Sequence, residues 1–198
     1  MVSRPSAGAA LASAALASFT VWITWRAKAL EAGLQSEDQP AVLLHKQAPD
    51  FSLPALDGRM VSLAAERGRR TMVLSFWASW CGPCRLELPV LRSFYERVHK
   101  PGSDFEVLAI SLDEDSGAAE RMAKDLRLPF PVLLDPSQKS AAAYGVSGIP
   151  ALFVVAKNGR VAYGASGFRP GFEVMLATQL GIDPKLVLGR GPNGKPSD

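Results

Sequence analysis

The chain holds two cysteines, Cys81 and Cys84, with only two residues between them. A disulfide at that spacing closes too short a loop to staple distant parts of a fold, so the pair points to chemistry rather than scaffolding. In Trp80-Cys81-Gly82-Pro83-Cys84 one sulfur can attack a foreign disulfide while the other resolves the mixed disulfide that results. The attacking species is the thiolate, which a helix N-terminus favours through its unpaired N–H groups and about half a positive charge. Pro83 suits the first turn of such a helix, because its missing N–H is not needed there and its φ is already helical. On this reading Cys81 faces outward at the helix tip and attacks, and Cys84, one turn in, is shielded and resolves. A zinc site would want four ligands, yet His45 and His99 are the only histidines and neither lies near the pair; both read as surface or linker residues.

The elements that must position the pair surround it. Thr71 to Phe76 is an apolar run that reads as a central buried strand and leads directly into WASWCGPC. From Pro83 to His99, Leu86, Val90, Leu91, Phe94 and Val98 recur at spacings of three and four, predicting an amphipathic helix. The cysteines therefore fall at a strand-to-helix junction. Upstream, APDFSLPALDGRMVSL predicts a small hairpin around Asp57-Gly58. Downstream, Phe105 to Ser111 reads as a strand, Ser116 to Leu126 as a helix, Pro131 to Leu134 as a short strand and Gln138 to Tyr144 as a helical turn, an alternation that implies βαβ units. Ala151 to Ala156 and Val161 to Gly164 form a second hairpin around Lys157-Asn158-Gly159-Arg160, followed by a helix from Phe172 to Leu180.

These residues resemble a known family. The stretch FWASWCGPC, Phe76 to Cys84, looks like the thioredoxin active site, and Gly148-Ile149-Pro150 before an apolar strand resembles that superfamily's cis-proline loop. The opening APDFSLPALDG, the segment CRLELP and the stretch YGVSGIPALFVVAKNGRV narrow the resemblance to the membrane-anchored TlpA/ResA-like thiol–disulfide oxidoreductases, over residues 47–180. The resemblance implies an α/β, thioredoxin-like fold: a central mixed sheet flanked by helices, with an N-terminal β-hairpin extension and a single N-terminal transmembrane helix before it. It gives Trp80, Gly82, Pro83, Ile149 and Pro150 a part in substrate binding.

One departure is informative. Thioredoxins carry a buried acid six positions before the first cysteine, and Ser75 stands there in this chain. Glu87, three residues after Cys84 on the same helical face, can accept the proton of the resolving thiol, and TlpA/ResA-like proteins similarly have a glutamate at that place; the alternative is a solvent-facing helix glutamate. The Gly-Pro dipeptide and the Ile before Pro150 resemble reducing members. The implied activity is protein-disulfide reduction in exported proteins, apocytochrome c among them, at the bacterial cell membrane with the domain on the periplasmic side, recharged by a membrane electron donor of the CcdA/DsbD type. No cofactor and no metal are implied, since the cysteines carry the electrons. Rival readings are a DsbA-like oxidant, a peroxidase and a thiolate metal-binding scaffold. Ala78 and Leu74 stand where a peroxidase has its proline and threonine, and no Met or His flanks the pair as a soft-metal site would favour.

With 198 residues, 47% hydrophobic and 21% charged, the chain suits one globular domain with appendages. Its net charge of +3 belongs to the N-terminal segment, where Arg4, Arg26 and Lys28 precede any acid; the remainder is balanced and shows no basic stripe of the kind that binds nucleic acid. Pro5 to Trp25 contains no charged residue and ends among tryptophans, which predicts a membrane span in residues 1–28. A signal peptide cut after Ala15-Leu16-Ala17 is the alternative, disfavoured because that site lies inside the apolar run. Arg4 and the terminal amine roughly balance Arg26 and Lys28, so charge does not orient the span. The expected organisation is anchor 1–28, tether 29–46, thioredoxin-like domain 47–182 and flexible tail 183–198.

Overall fold

The computed structural model describes residues 42–188; the expected anchor, the tether up to residue 41 and the tail from residue 189 lie outside them. No helix among the described residues is long and apolar enough to cross a membrane.

A five-stranded mixed sheet forms the centre, in the order β5-β4-β3-β6-β7. Its middle strand is the predicted apolar run, β3 (Thr71–Trp77), which pairs in parallel with β4 (Phe105–Ser111) and antiparallel with β6 (Ala151–Val155). β5 (Val132–Leu134) extends β4 in parallel, and β7 (Val161–Ser166) closes the other edge antiparallel to β6. Side chains alternate across a strand, and β3 shows the consequence. Val73 and Trp77 join one core with Leu88, Leu91 and Phe94 of α2 (Cys84–Val98) and Leu176 of α5 (Phe172–Gln179); α3 (Ser116–Asp125) contributes Met122 to the same layer. Leu74 and Phe76 enter the opposite core with Tyr144, which follows α4 (Lys139–Ala143), and with Leu63 of the short α1 (Leu63–Glu66). The result is a three-layer α/β architecture.

The predicted hairpin is present as β1 (Ser52–Pro54) and β2 (Met60–Ser62), paired antiparallel around Gly58, whose φ of 82° suits a residue without Cβ. It attaches to the sheet edge through the bridge from Ala55 to Leu133.

Several expectations shift. Leu86 is 60% exposed, because the buried stripe of α2 runs through Cys84, Glu87, Leu88, Leu91 and Phe94, and Leu86 lies about a quarter turn or more away from it. The domain begins before residue 47, since His45 N–H donates to Val161 O and Val161 N–H donates to Lys46 O at 2.8 and 2.9 Å. It also runs past 182: α6 (Lys185–Leu188) buries Val187, and Arg97 Nη1 donates to Val187 O at 2.7 Å.

Candidate active site

The site lies where β3 delivers the chain into α2. Met72 to Phe76 of β3 are held from both sides by β4 and β6 and Trp77 by β4, so the strand is a fixed platform, and the motif leaves its end immediately. Cys81 and Cys84 form a disulfide with an S–S distance of 2.04 Å. The helix begins at Cys84 with Pro83 as its N-cap residue, one position later than expected, so Cys81 stands before the first turn rather than in it. Its sulfur is still served by that turn: Cys84 N–H points at Cys81 Sγ over 3.1 Å. Cys84 is fully buried, as expected. Cys81 does not face outward; it is 4% exposed in the disulfide form, packed in the same core as Cys84, Trp77 and Ala78, with Ile149 against that core.

Ile149 and Pro150 come to the pair from the loop before β6. Their peptide bond is cis, and Ile149 O lies 3.6 Å from Cys81 Sγ. Pro150 is buried and Ile149 partly so, whereas Gly82 and Pro83 are exposed and Trp80 is 69% exposed. The loop of Ile149 and Pro150 thus lies against Cys81, beside the exposed Trp80, Gly82 and Pro83 of the motif.

Glu87 is not a solvent-facing helix residue. Its side chain enters the core one turn after Cys84, where Oε1 accepts a hydrogen bond from Ser75 Oγ at 3.0 Å. Burial pushes its carboxyl up to about 7, with the Ser75 hydroxyl pulling weakly the other way. Ser75 lies between Val73 and Trp77 on the α2-facing side of β3, so the strand position that lacks the acid supplies the partner for an acid arriving from the helix.

A second polar cluster escaped the sequence reading. The buried Asp113, just past β4, accepts from Ser79 N–H through both carboxylate oxygens at 3.1 and 2.9 Å, from Ser79 Oγ at 2.7 Å and from Ser111 Oγ at 2.8 Å. Arg85 Nη2 donates to Ser79 O at 2.8 Å. Ser79, two residues before Cys81, is therefore held at every polar atom, and the loop carrying Trp80 and Cys81 is tied both to the end of β4 and to the first turn of α2. Nothing local in the sequence joins residues 79 and 113; only the parallel pairing of β3 with β4 brings them together.

The histidines part ways. His45 is exposed, while His99 is half-buried, stacked on Tyr95 at 4.1 Å with its Nε2 3.6 Å from Glu106. Neither approaches the cysteines, and no group of three or more His, Cys, Asp or Glu side chains among the described residues is placed to hold a metal ion.

Comparison with known proteins agrees with this geometry. The model of the AhpC/TSA family matches residues 44–164. The thiol-disulfide oxidoreductase ResA of Geobacillus thermodenitrificans is 36% identical over 124 residues, 63% of this chain and 70% of that protein. Among solved structures, a candidate thiol:disulfide interchange protein DsbE from Chlorobium tepidum superposes with a TM-score of 0.62 at 36% identity, covering 68% of this chain and 92% of that one. A thiol-disulfide oxidoreductase from Bacteroides fragilis gives 0.56 at 30% identity, covering 68% and 98%. With a matching family model over most of the described domain and a redox-ready cysteine pair at the mouth of a thioredoxin-like fold, the chain belongs to the AhpC/TSA family and is a thiol–disulfide oxidoreductase of the ResA/DsbE type.

Proposed function

We propose that the protein reduces disulfides in exported proteins from a membrane-tethered position, using Cys81 as nucleophile, Cys84 as resolving thiol and Glu87 as proton acceptor. The observation that carries the assignment of roles is the pairing of Cys84 N–H with Cys81 Sγ beside a buried carboxyl one turn further on. In the reduced protein that N–H would stabilise a thiolate on Cys81. The thiolate attacks one sulfur of the substrate disulfide, a mixed disulfide forms, and the other substrate sulfur leaves as thiolate. Cys84 gives its proton to Glu87 and attacks Cys81 Sγ, which closes the disulfide and releases the second substrate sulfur. Two electrons pass to the substrate, and its two thiolates take up protons. A carboxyl held near neutrality suits this, because a general base works best when its pKa lies close to ambient pH.

Trp80, Gly82, Pro83, Ile149 and Pro150 frame the approach. The Ile149 carbonyl beside Cys81 Sγ offers an acceptor to the backbone of an extended substrate segment, and the exposed Trp80 offers an apolar contact. The two cysteines carry the electrons without a bound cofactor, so a partner must reset them; a membrane donor of the CcdA/DsbD type and a substrate such as apocytochrome c fit the ResA-like resemblance. The uncharged run from Pro5 to Trp25 supports anchoring at the bacterial membrane with the domain on the periplasmic side. The test is the equilibrium of the pair against graded glutathione or dithiothreitol buffers. A potential near or below about −250 mV is expected of a reductase, and one near about −120 mV would make the protein a DsbA-like oxidant instead.

A further inference from the structure

The end of the sheet opposite the cysteines is basic in an unbalanced way. There the N-termini of β3 and β4 meet the β6–β7 turn and the segment by which the chain enters the domain: Thr71 N–H donates to Asp104 O, Gly68 N–H to Lys157 O and Ala48 N–H to Gly159 O. Among the described residues, four carboxylates at this end are engaged. Asp50 pairs with Arg67 at 2.7 Å, Asp104 with Lys157 at 2.9 Å, and Glu66 and Glu106 both with Arg70 at 3.0 and 3.3 Å. Four further cations, Lys46, Arg69, Lys100 and Arg160, are exposed and have no carboxylate partner among the described residues. Arg160 donates one N–H to His45 O at 2.7 Å and keeps its charge at the surface. A cleft of about 270 Å³ lies in this face, lined by Arg69, Arg70, His99, Gly102, Ser103 and Asp104.

We infer that this basic end is a docking surface for anionic lipid headgroups. Charge complementarity is one reason: exposed Lys and Arg without carboxylate partners are drawn to phosphodiester groups, and attraction grows with each cation brought to an anionic leaflet. The place where the chain enters is the second, independent reason. Leu44 and His45 join β7 at this same end, and the uncharged run ending at Trp25 stands only a short stretch of chain upstream. An acidic protein would satisfy the charge but not the point of entry, so a lipid surface is the occupant. The inference rests on the membrane-tethered reading proposed above.

In this orientation the disulfide sits at the far end of β3, about 20 Å from the headgroups at ~3.3 Å per residue, and faces the aqueous side where exported proteins are. A donor within the membrane reaches the pair only when the basic end lifts away, so anionic lipid and donor compete for the orientation of the domain.

The experiment uses the full chain mixed with vesicles of phosphatidylcholine alone or with phosphatidylglycerol, followed by flotation and backbone hydrogen exchange. Expected is flotation with both, and exchange slowed at least about threefold at residues 99–104 and 157–160 only with phosphatidylglycerol, with residues 147–149 unchanged; high salt abolishes the protection, as screening requires. The joint variant Lys46→Gln, Arg69→Gln, Lys100→Gln, Arg160→Gln floats equally and shows no protection, its thermal melt confirming that it folds. Flotation with equal exchange on both lipids, or protection that ignores salt, overturns the docking surface while leaving the anchor standing. Failure to float with either lipid instead removes the tethered reading and the inference with it.

Discussion

At the scale of single residues, the site works through one buried carboxyl. Glu87 titrates near 7 in the fold against a normal 4.5, so the folded state holds its proton more tightly than the unfolded chain does. The stability associated with the protonated carboxyl is complete below about pH 4.5 and is lost as the pH rises to about 7, a span worth roughly 3 kcal/mol. Glu87→Gln is therefore expected to flatten this part of the stability profile and to melt higher than the parent at pH 8. It should also remove the pH step near 7 in the rate of disulfide exchange. Urea unfolding and insulin-reduction kinetics across the pH range read both, and a parent profile flat between pH 5 and 8 would sink the idea. Ser75→Ala takes away the hydroxyl that favours the charged carboxylate, so the same step should move to higher pH, while Ser75→Thr, which keeps a donor, should leave it closer to the parent. Glu87 was legible because its spacing from Cys84 put it on the inner helical face. Its bond to Ser75 was not, since strand and helix positions 12 apart in sequence meet only after α2 packs on β3.

At the scale of elements, periodicity carried most of the reading. The strands β3, β4 and β6 and the helix α2 were visible as apolar runs and a three-four repeat, because each buries one side or both in a continuous core. Leu86 misled, as a spacing of four from Val90 looks like a stripe yet falls outside the one set by Leu88, Leu91 and Phe94. Leu91→Ala should accordingly cost about 2–5 kcal/mol by urea unfolding, whereas Leu86→Ala should change stability little. The loop between β3 and α2 belongs to this scale too. Asp113→Ala leaves the N–H and hydroxyl of Ser79 and the hydroxyl of Ser111 without their buried acceptor, for an expected loss of about 1–3 kcal/mol. Since Ser79 leads into Trp80 and Cys81, the variant should also shift the Cys81/Cys84 potential. A loss of stability with the potential unmoved would restrict Asp113 to scaffolding.

At the scale of the whole molecule, the segment past residue 182 tests how far the domain extends. Pro184, the glycines and the polar residues that follow resemble a frayed tail, and nothing in four residues of KLVL announces a packed turn. Tertiary contacts decide otherwise. Val187 is 3% exposed in the core shared by α2 and α5, and Arg97, near the end of α2, donates to its carbonyl. Deleting residues 183–198 exposes this part of the core and strands a guanidinium contact, so about 2 kcal/mol should be lost and the melting temperature should fall by several degrees. Exchange activity should survive the deletion below that melt, because Arg97 lies 13 residues along α2 from Cys84, about 20 Å at ~1.5 Å per residue. An unchanged melt would return the boundary to residue 182. Lost activity with an unchanged melt would instead mean that the far end of α2 communicates with the cysteines.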